Sequence, residues 1–272
     1  MNFRSLFYAA AFTAAFATPA AHAITDGELD GDAHPYVGLM VASDADGNLL
    51  WRCSGTLVAP GLFLTAGHCT EAPAAHAEIW FQSDVQNGRP ANGYPFVGQA
   101  RGTPHTHPNY DPNAFFLHDV GVVTLDNWIW NLGWAGLPGR DALDAMDRRR
   151  GRQDVTFTAV GYGLQEINPV HVESQLLREV ARPKLIQINN GYVGTQSLLL
   201  SNNHSTGGTC FGDSGGPNFI GTSSTIGGVT SFGKNGNCAG TGGVFRLDRE
   251  EVLHWLFTDY WFYFCLDTSC FI

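Results

Sequence analysis

The chain has 272 residues, a formal net charge of −10, 15% charged and 44% hydrophobic residues, and 33 glycines. It is too apolar and too sparsely charged for a disordered chain, and so acidic a chain offers no electrostatic footprint for nucleic acid or an anionic membrane surface. The glycines follow no G-X-Y repeat, which excludes a collagen-like chain, and the length suffices for one large domain or two small ones.

Residues 1–23 read as a secretory signal peptide. Arg4 supplies the positive start, residues 6–17 are apolar and uncharged, and Ala21-His22-Ala23 fits a small-x-small cleavage site. The apolar run is too short to span a membrane. Cleavage after Ala23 makes Ile24 the mature N-terminus. The product is expected to be secreted or otherwise exported, without membrane attachment once the signal is removed. In an oxidising compartment the six cysteines (Cys53, Cys69, Cys210, Cys238, Cys265 and Cys270) favour disulfides over metal binding, and the absence of a C-x-x-C pair weakens a zinc site further. Six cysteines allow fifteen pairings, and spacing does not choose among them.

Beyond Ile24 the chain reads as short strands at 36–43, 55–58, 62–66, 78–82, 119–125, 155–161, 215–220, 226–232 and 243–247. They are rich in Val, Thr, Phe and Leu, and Gly, Pro, Asn and Asp punctuate them. No strand–helix alternation occurs, so antiparallel barrels or sandwiches fit and a parallel α/β sheet does not. The tryptophan-rich stretch 127–139 is expected to connect two halves, and the basic cluster 148–152 to be a solvated loop. Residues 249–264 carry Val252, Leu253, Leu256, Tyr260 and Phe264 at helical spacing, predicting a terminal helix packed on the body of the protein.

Three segments carry chemistry. Residues 64–69 (LTAGHC) supply His68, residues 118–123 (HDVGVV) supply Asp119, and residues 210–217 (CFGDSGGP) supply Ser214. A serine hydroxyl is a poor nucleophile without an adjacent base. An imidazole titrates near working pH and can shuttle the proton, and a buried carboxylate holds it in one tautomer. The glycines beside Ser214 allow a sharp turn and close approach, so that the amides of Gly212 and Ser214 can face a developing oxyanion. Singly each segment is weak; together they form a base, an orienter and a nucleophile.

With the order His, Asp, Ser, these segments resemble the trypsin/chymotrypsin-like serine peptidases. The likeness extends through residues 24–27 (ITDG), 35–37 (PYV), 53–58 (CSGTLV), 107–110 (HPNY), 160–163 (VGYG), 231–233 (SFG) and 243–245 (GVF). It implies an all-β fold of two antiparallel six-stranded β-barrels with a C-terminal helix. The N-terminal barrel would cover about 24–135, the C-terminal barrel about 136–248, and the terminal helix and tail 249–272. The active site would lie in the cleft between the barrels. The resemblance makes His68 the general base, Asp119 its orienter and Ser214 the nucleophile, and pairs Asp213 with the Ile24 amine. It pairs Cys53 with Cys69 and Cys210 with Cys238, which leaves Cys265 with Cys270. It assigns Gly208, Thr209, Ser231, Gly233 and Gly243 to substrate binding. With no acidic residue at the inferred pocket base, Gly208, cleavage after a hydrophobic or aromatic residue is expected rather than after Lys or Arg, and cleavage after Glu is the rival, weakened because Thr230 stands where the resemblance would place a His. A monomer acting on protein or peptide substrates is implied, with no cofactor and no metal. The reading that competes with it is a catalytically silent binding or adhesion protein on the same scaffold. Two further expectations concern loops: residues 198–205 are expected to be mobile, and His105, His107 and His118 to be surface loop histidines rather than a metal cluster.

Overall fold

The computed structural model describes residues 24–114, 116–147, 154–168 and 171–265. The leader at 1–23, the basic cluster at 148–152 and Cys270 lie outside the described residues.

Sixteen strands are described. The first seven are β1 (Glu28–Leu29), β2 (Val37–Ser43), β3 (Leu49–Ala59), β4 (Leu62–Thr65), β5 (His76–Trp80), β6 (Ala100–Thr106) and β7 (Gly121–Leu125). They are followed by β8 (Phe157–Gly161), β9 (Glu166–Asn168), β10 (His171–Glu173), β11 (Glu179–Ala181), β12 (Leu185–Asn190), β13 (Gly194–Asn202), β14 (Pro217–Ile220), β15 (Ile226–Gly233) and β16 (Gly240–Arg246). Strands β2 to β7 close into a six-stranded antiparallel barrel in the order β2-β3-β4-β7-β6-β5.

Period-two alternation explains why β2 is buried on both faces. Met40 and Ala42 join Leu57, Phe63, Ile79 and Val123 inside the barrel. Val37, Leu39 and Val41 join Val160, Tyr162, Phe219 and Val229 from the second half in a cluster that seals the two halves together. Each such aliphatic side chain stabilises the fold by about 1.5–3 kcal/mol on full burial.

The second half is an eight-stranded sheet in the order β1-β11-β8-β14-β15-β16-β13-β12, lined inside by Phe157, Leu185, Ile188, Leu198, Leu200 and Val244. It curls back on itself: an isolated bridge joins Thr156 to Lys184, and Phe157 N–H donates to Pro183 O at 2.8 Å. This differs from the six strands expected. One short element accounts for part of the difference: β1 adds at one edge through Glu28↔Val180 and Leu29↔Glu179. The N-terminal residues therefore pair with the second half, although they were assigned to the first barrel. The stretch 198–205, expected to be mobile, begins as the end of β13. That strand is held between β12 and β16.

The terminal helix is broken. Helix α1 (Glu250–Asp259) ends at Tyr260, whose φ of −121° and ψ of 18° leave the helical region, and α2 (Trp261–Phe264) follows. Val252, Trp255 and Leu256 are buried, and the Tyr260 ring meets Trp255 edge-on at 5.3 Å. Among the described residues no helix is long and apolar enough to cross a membrane.

Candidate active site

His68 sits on the 3-10 turn Gly67–Cys69 directly after β4, and Asp119 lies two residues before β7. The β4–β7 pairing, Thr65↔Gly121 at its end, brings the two together from the first barrel. Asp119 is fully buried and satisfied by three donors: His68 N–H at 2.9 Å, His68 Nδ1–H at 2.9 Å from Oδ2, and the Ser231 hydroxyl at 2.5 Å. With Nδ1 committed to the carboxylate, Nε2 is the ring atom free to accept a proton. Burial of His68 opposes its protonation, but the charge and hydrogen bond of Asp119 override it and raise the imidazole pKa above 6.5. The Tyr110 ring lies 3.0 Å from where a Cβ on Gly67 would be, which explains the small residue beside the base.

Ser214 comes from the second half, in the turn before β14. Two glycines shape that turn. Gly212 has φ +96° and Gly215 φ +76°, which side chains rarely tolerate, and a Cβ on Gly215 would overlap Thr65 Oγ1. The turn is tied to the first barrel by Ser54, whose N–H donates to Ser214 O at 2.8 Å and whose hydroxyl donates to Gly212 O at 2.9 Å. Among the described residues, the N–H groups of Gly212 and Ser214 donate to no protein acceptor. His68 and Ser214 line one cavity of about 320 Å³, together with Thr209, Cys210, Phe211, Thr230, Ser231, Phe232, Gly233, Asn235 and Cys238.

A family model described as Trypsin matches residues 30–256. The chain belongs to the Trypsin family of serine proteases. Brachyurin of Leptuca pugilator is 30% identical over 200 residues, 70% of this chain and 79% of brachyurin. Ovochymase of Halocynthia roretzi is 26% identical over 204 residues; these are 71% of this chain but only 12% of ovochymase, so the chain spans a small part of that relative. Among solved structures, the HL collagenase superposes with a TM-score of 0.68 at 19% identity, covering 87% of this chain and 98% of the collagenase. The human heparin binding protein superposes with a TM-score of 0.61 at 17% identity, covering 87% of this chain and 94% of its own. At these identities the two solved structures speak to the fold alone.

Two of the expected cysteine pairings are present, while other residues fall differently. Cys53–Cys69 and Cys210–Cys238 are disulfides, and Cys265 is also disulfide-bonded. The Ile24–Asp213 pair expected after removal of residues 1–23 requires an ammonium at Ile24, which the full chain does not have. Ile24 is fully buried, but its nitrogen, a peptide amide in the full chain, donates to Glu179 Oε2 at 3.0 Å. The physical reason is the β1–β11 pairing: a turn closed by Gly27 N–H on Ile24 O folds Ile24 back over the carboxylate carried by β11. Asp213 is instead held by the amides of Gly163 at 2.8 Å and Cys210 at 2.9 Å, and burial pushes its carboxyl up to about 7 against those two bonds.

Of the residues assigned to substrate binding, Thr209, Ser231 and Gly233 line the cavity, whereas Gly208 and Gly243 do not. Each of these two is covered by a neighbour where its missing side chain would stand: Asn202 over Gly208, and the ring of Phe232 over Gly243. His107 also departs from a surface position. It is buried, stacked on His118 at 5.2 Å and edge-on to Trp255 at 4.9 Å; burial and the neighbouring His118 push its pKa down to about 4. Sequence reasoning missed Glu179 and Asn202, since neither lies in a local motif.

Proposed function

We propose that the protein is an exported serine endopeptidase. The observation that carries the reading is the His68 imidazole, bonded through Nδ1 to the buried Asp119 and sharing its cavity with Ser214. In the proposed reaction His68 Nε2 takes the Ser214 proton as Oγ attacks the substrate carbonyl. The amides of Gly212 and Ser214 stabilise the oxyanion, where one donor is worth about 3 kcal/mol. The imidazolium then protonates the leaving amine, and water releases the acyl group by the reverse proton path. Residues 24–272 form the peptidase domain, and protein or peptide chains are its substrates. The apolar rings of Phe211 and Phe232, with no acidic side chain among the described lining residues, favour a hydrophobic or aromatic residue before the scissile bond. A labelled serine-directed phosphonate is expected to modify Ser214, and a peptide library to be cut after such residues. Absence of both would refute the reading.

The second reading is a catalytically silent binding protein on the same scaffold, since the fold is shared with the human heparin binding protein. A net charge of −10 disfavours a polyanionic ligand such as heparin. The same phosphonate label separates the two readings.

The base must be neutral to act, and Asp119 raises its pKa. The acid limb of kcat/KM is therefore expected to have its midpoint above 6.5, measured from pH 5 to 9; a midpoint below 6.5 would contradict the role of Asp119.

Cleavage after Ala23 converts the Ile24 amide into an ammonium facing the Glu179 carboxylate. Thr25 continues into a bridge with Gly208, whose N–H donates to Thr25 O at 3.1 Å, and so supports the segment leading to Ser214. Protein retaining a tag before Ile24, or carrying Glu179→Gln, is expected to lose activity on the order of tenfold or more. Full activity of both forms, with their termini verified by mass spectrometry, would rule out this activation route.

A further inference from the structure

Arg52 stands on β3 directly before Cys53, whose disulfide to Cys69 adjoins the base. Its side chain is partly buried against the turn that carries the nucleophile. A Cβ on Gly212 would lie 3.1 Å from Arg52 Nη2 and 3.3 Å from Nε, so the guanidinium covers the α-carbon of the residue whose amide is to hold the oxyanion. Among the described residues its hydrogen-bond partner is the Ser174 hydroxyl at 3.3 Å, and no carboxylate pairs with it. The charge is therefore not offset by an ion pair.

The same charge reaches the neighbouring Asp213. Burial pushes that carboxyl up, the amides of Cys210 and Gly163 oppose it, and Arg52 adds to them. Beside the base the sign is opposite. Burial opposes protonation of His68, but Asp119 and, more weakly, Glu71 favour the imidazolium. In the proposed reaction two charges appear together, a cation on His68 and an anion on the former carbonyl oxygen. Carboxylates beside the first and a guanidinium beside the second fit that pattern before the reaction begins. Charges fixed in this way favour the transition state over the uncharged ground state.

We infer that Arg52 is a positioning residue for the oxyanion: from behind Gly212 its positive charge draws the negative oxygen onto the amides of Gly212 and Ser214 and stabilises it there. This rests on the endopeptidase reading and adds to it a group outside the triad and the two amides. Partial exposure and salt screen the charge, which keeps the expected effect near tenfold.

The test reads the oxyanion itself. A peptidyl trifluoromethyl ketone is added to wild-type enzyme, Arg52→Gln and Arg52→Lys. Ser214 Oγ bonds to the ketone carbon, its proton passes to His68, and the carbonyl π pair becomes the negative charge on oxygen. Fluorine NMR follows protonation of that oxygen as pH falls. Arg52→Gln is expected to make the hemiketal hydroxyl about tenfold less acidic, because a neighbouring cation favours the anion, and Arg52→Lys to leave it close to wild type. On a p-nitroanilide, which has no residue after the scissile bond, Arg52→Gln is expected to lower kcat about tenfold with KM unchanged, and Arg52→Lys to keep most of the rate. Glutamine retains a donor for the Ser174 hydroxyl, so lost packing does not imitate lost charge. Arg52→Met serves as a second neutral variant, and thermal unfolding checks that each is folded. Equal acidity in wild type and the neutral variants, or a kcat loss shared by Arg52→Lys, overturns the inference. So does a loss confined to peptides that extend beyond the scissile bond, which would make Arg52 a contact for the leaving peptide. Failure of the ketone to bond to wild-type Ser214 would overturn the endopeptidase reading as well, whereas bonding without a difference among the variants would overturn the role of Arg52 alone.

Discussion

Ser214→Ala is expected to lower the turnover of peptide hydrolysis about 10⁶-fold while the protein remains folded. The loss is large because His68 and Asp119 act only through the Ser214 hydroxyl, and without it the remaining catalysis comes from the oxyanion amides and substrate binding. The fold is expected to survive because the turn is held by its backbone. Ser214 O accepts from Ser54 N–H, Gly212 O from the Ser54 hydroxyl, and Gly215 N–H donates to Thr230 O at 2.8 Å, none of which involves the Ser214 side chain. The measurements are kcat on a peptide substrate and a thermal unfolding curve. A folded variant keeping more than about a tenth of wild-type activity would remove Ser214 from the nucleophile role.

Arg178→Met is expected to destabilise the protein by about 3–5 kcal/mol, a large part of the stability of a domain. Arg178 is 1% exposed. Its guanidinium donates to Asp30 Oδ2 at 3.0 Å, Phe81 O at 2.9 Å, Val37 O at 3.1 Å, Gly31 O at 2.5 Å and the Tyr162 hydroxyl at 3.3 Å. One side chain thus joins the segment after Ile24, the first barrel and the second half. Methionine fills much of the volume, but it leaves the Asp30 carboxylate buried with only His34 as its side-chain partner, at 2.5 Å. The cost therefore comes from the uncompensated charge and the abandoned carbonyls, not from a cavity.

Adding Asp30→Asn is expected to recover part of the loss, which a packing defect would not do. Burial raises the Asp30 pKa, but His34 and Arg178 override it and hold the group below 3.8. A depressed carboxylate pKa contributes stability above its unfolded value, and the contribution disappears as pH falls through the folded value. The gap between wild type and Arg178→Met is therefore expected to be full at neutral pH and to close only below about pH 4. Urea unfolding at pH 7 and pH 3 measures both. A loss under about 1 kcal/mol at pH 7 would mean that the buried pair is not a principal tie between the halves.

The residues legible in the sequence are those whose role is written within a few neighbours. His68 before Cys69, Asp119 before an apolar strand and Ser214 among glycines each sit in a short segment whose backbone needs can be read locally, such as the positive φ of Gly212 and Gly215. The alternating apolar residues of β2, β7, β8 and β15 are legible for the same reason. What stayed hidden depends on which distant strand lies alongside. Strands β11, β12 and β13 (EVA, LIQINN and GTQSLLLSN) are polar at their ends or very short, so their pattern is weak and their pairing decides them. That pairing sets Glu179 rather than Asp213 against Ile24, because β1 adds to the edge of the second sheet. It also carries Asn202 beside Gly208 and Phe232 over Gly243. A glycine in a sequence states only that a side chain is missing. Which neighbour fills the space is decided by strand register over separations that local chemistry does not encode, since a one-residue slip turns every side chain to the opposite face.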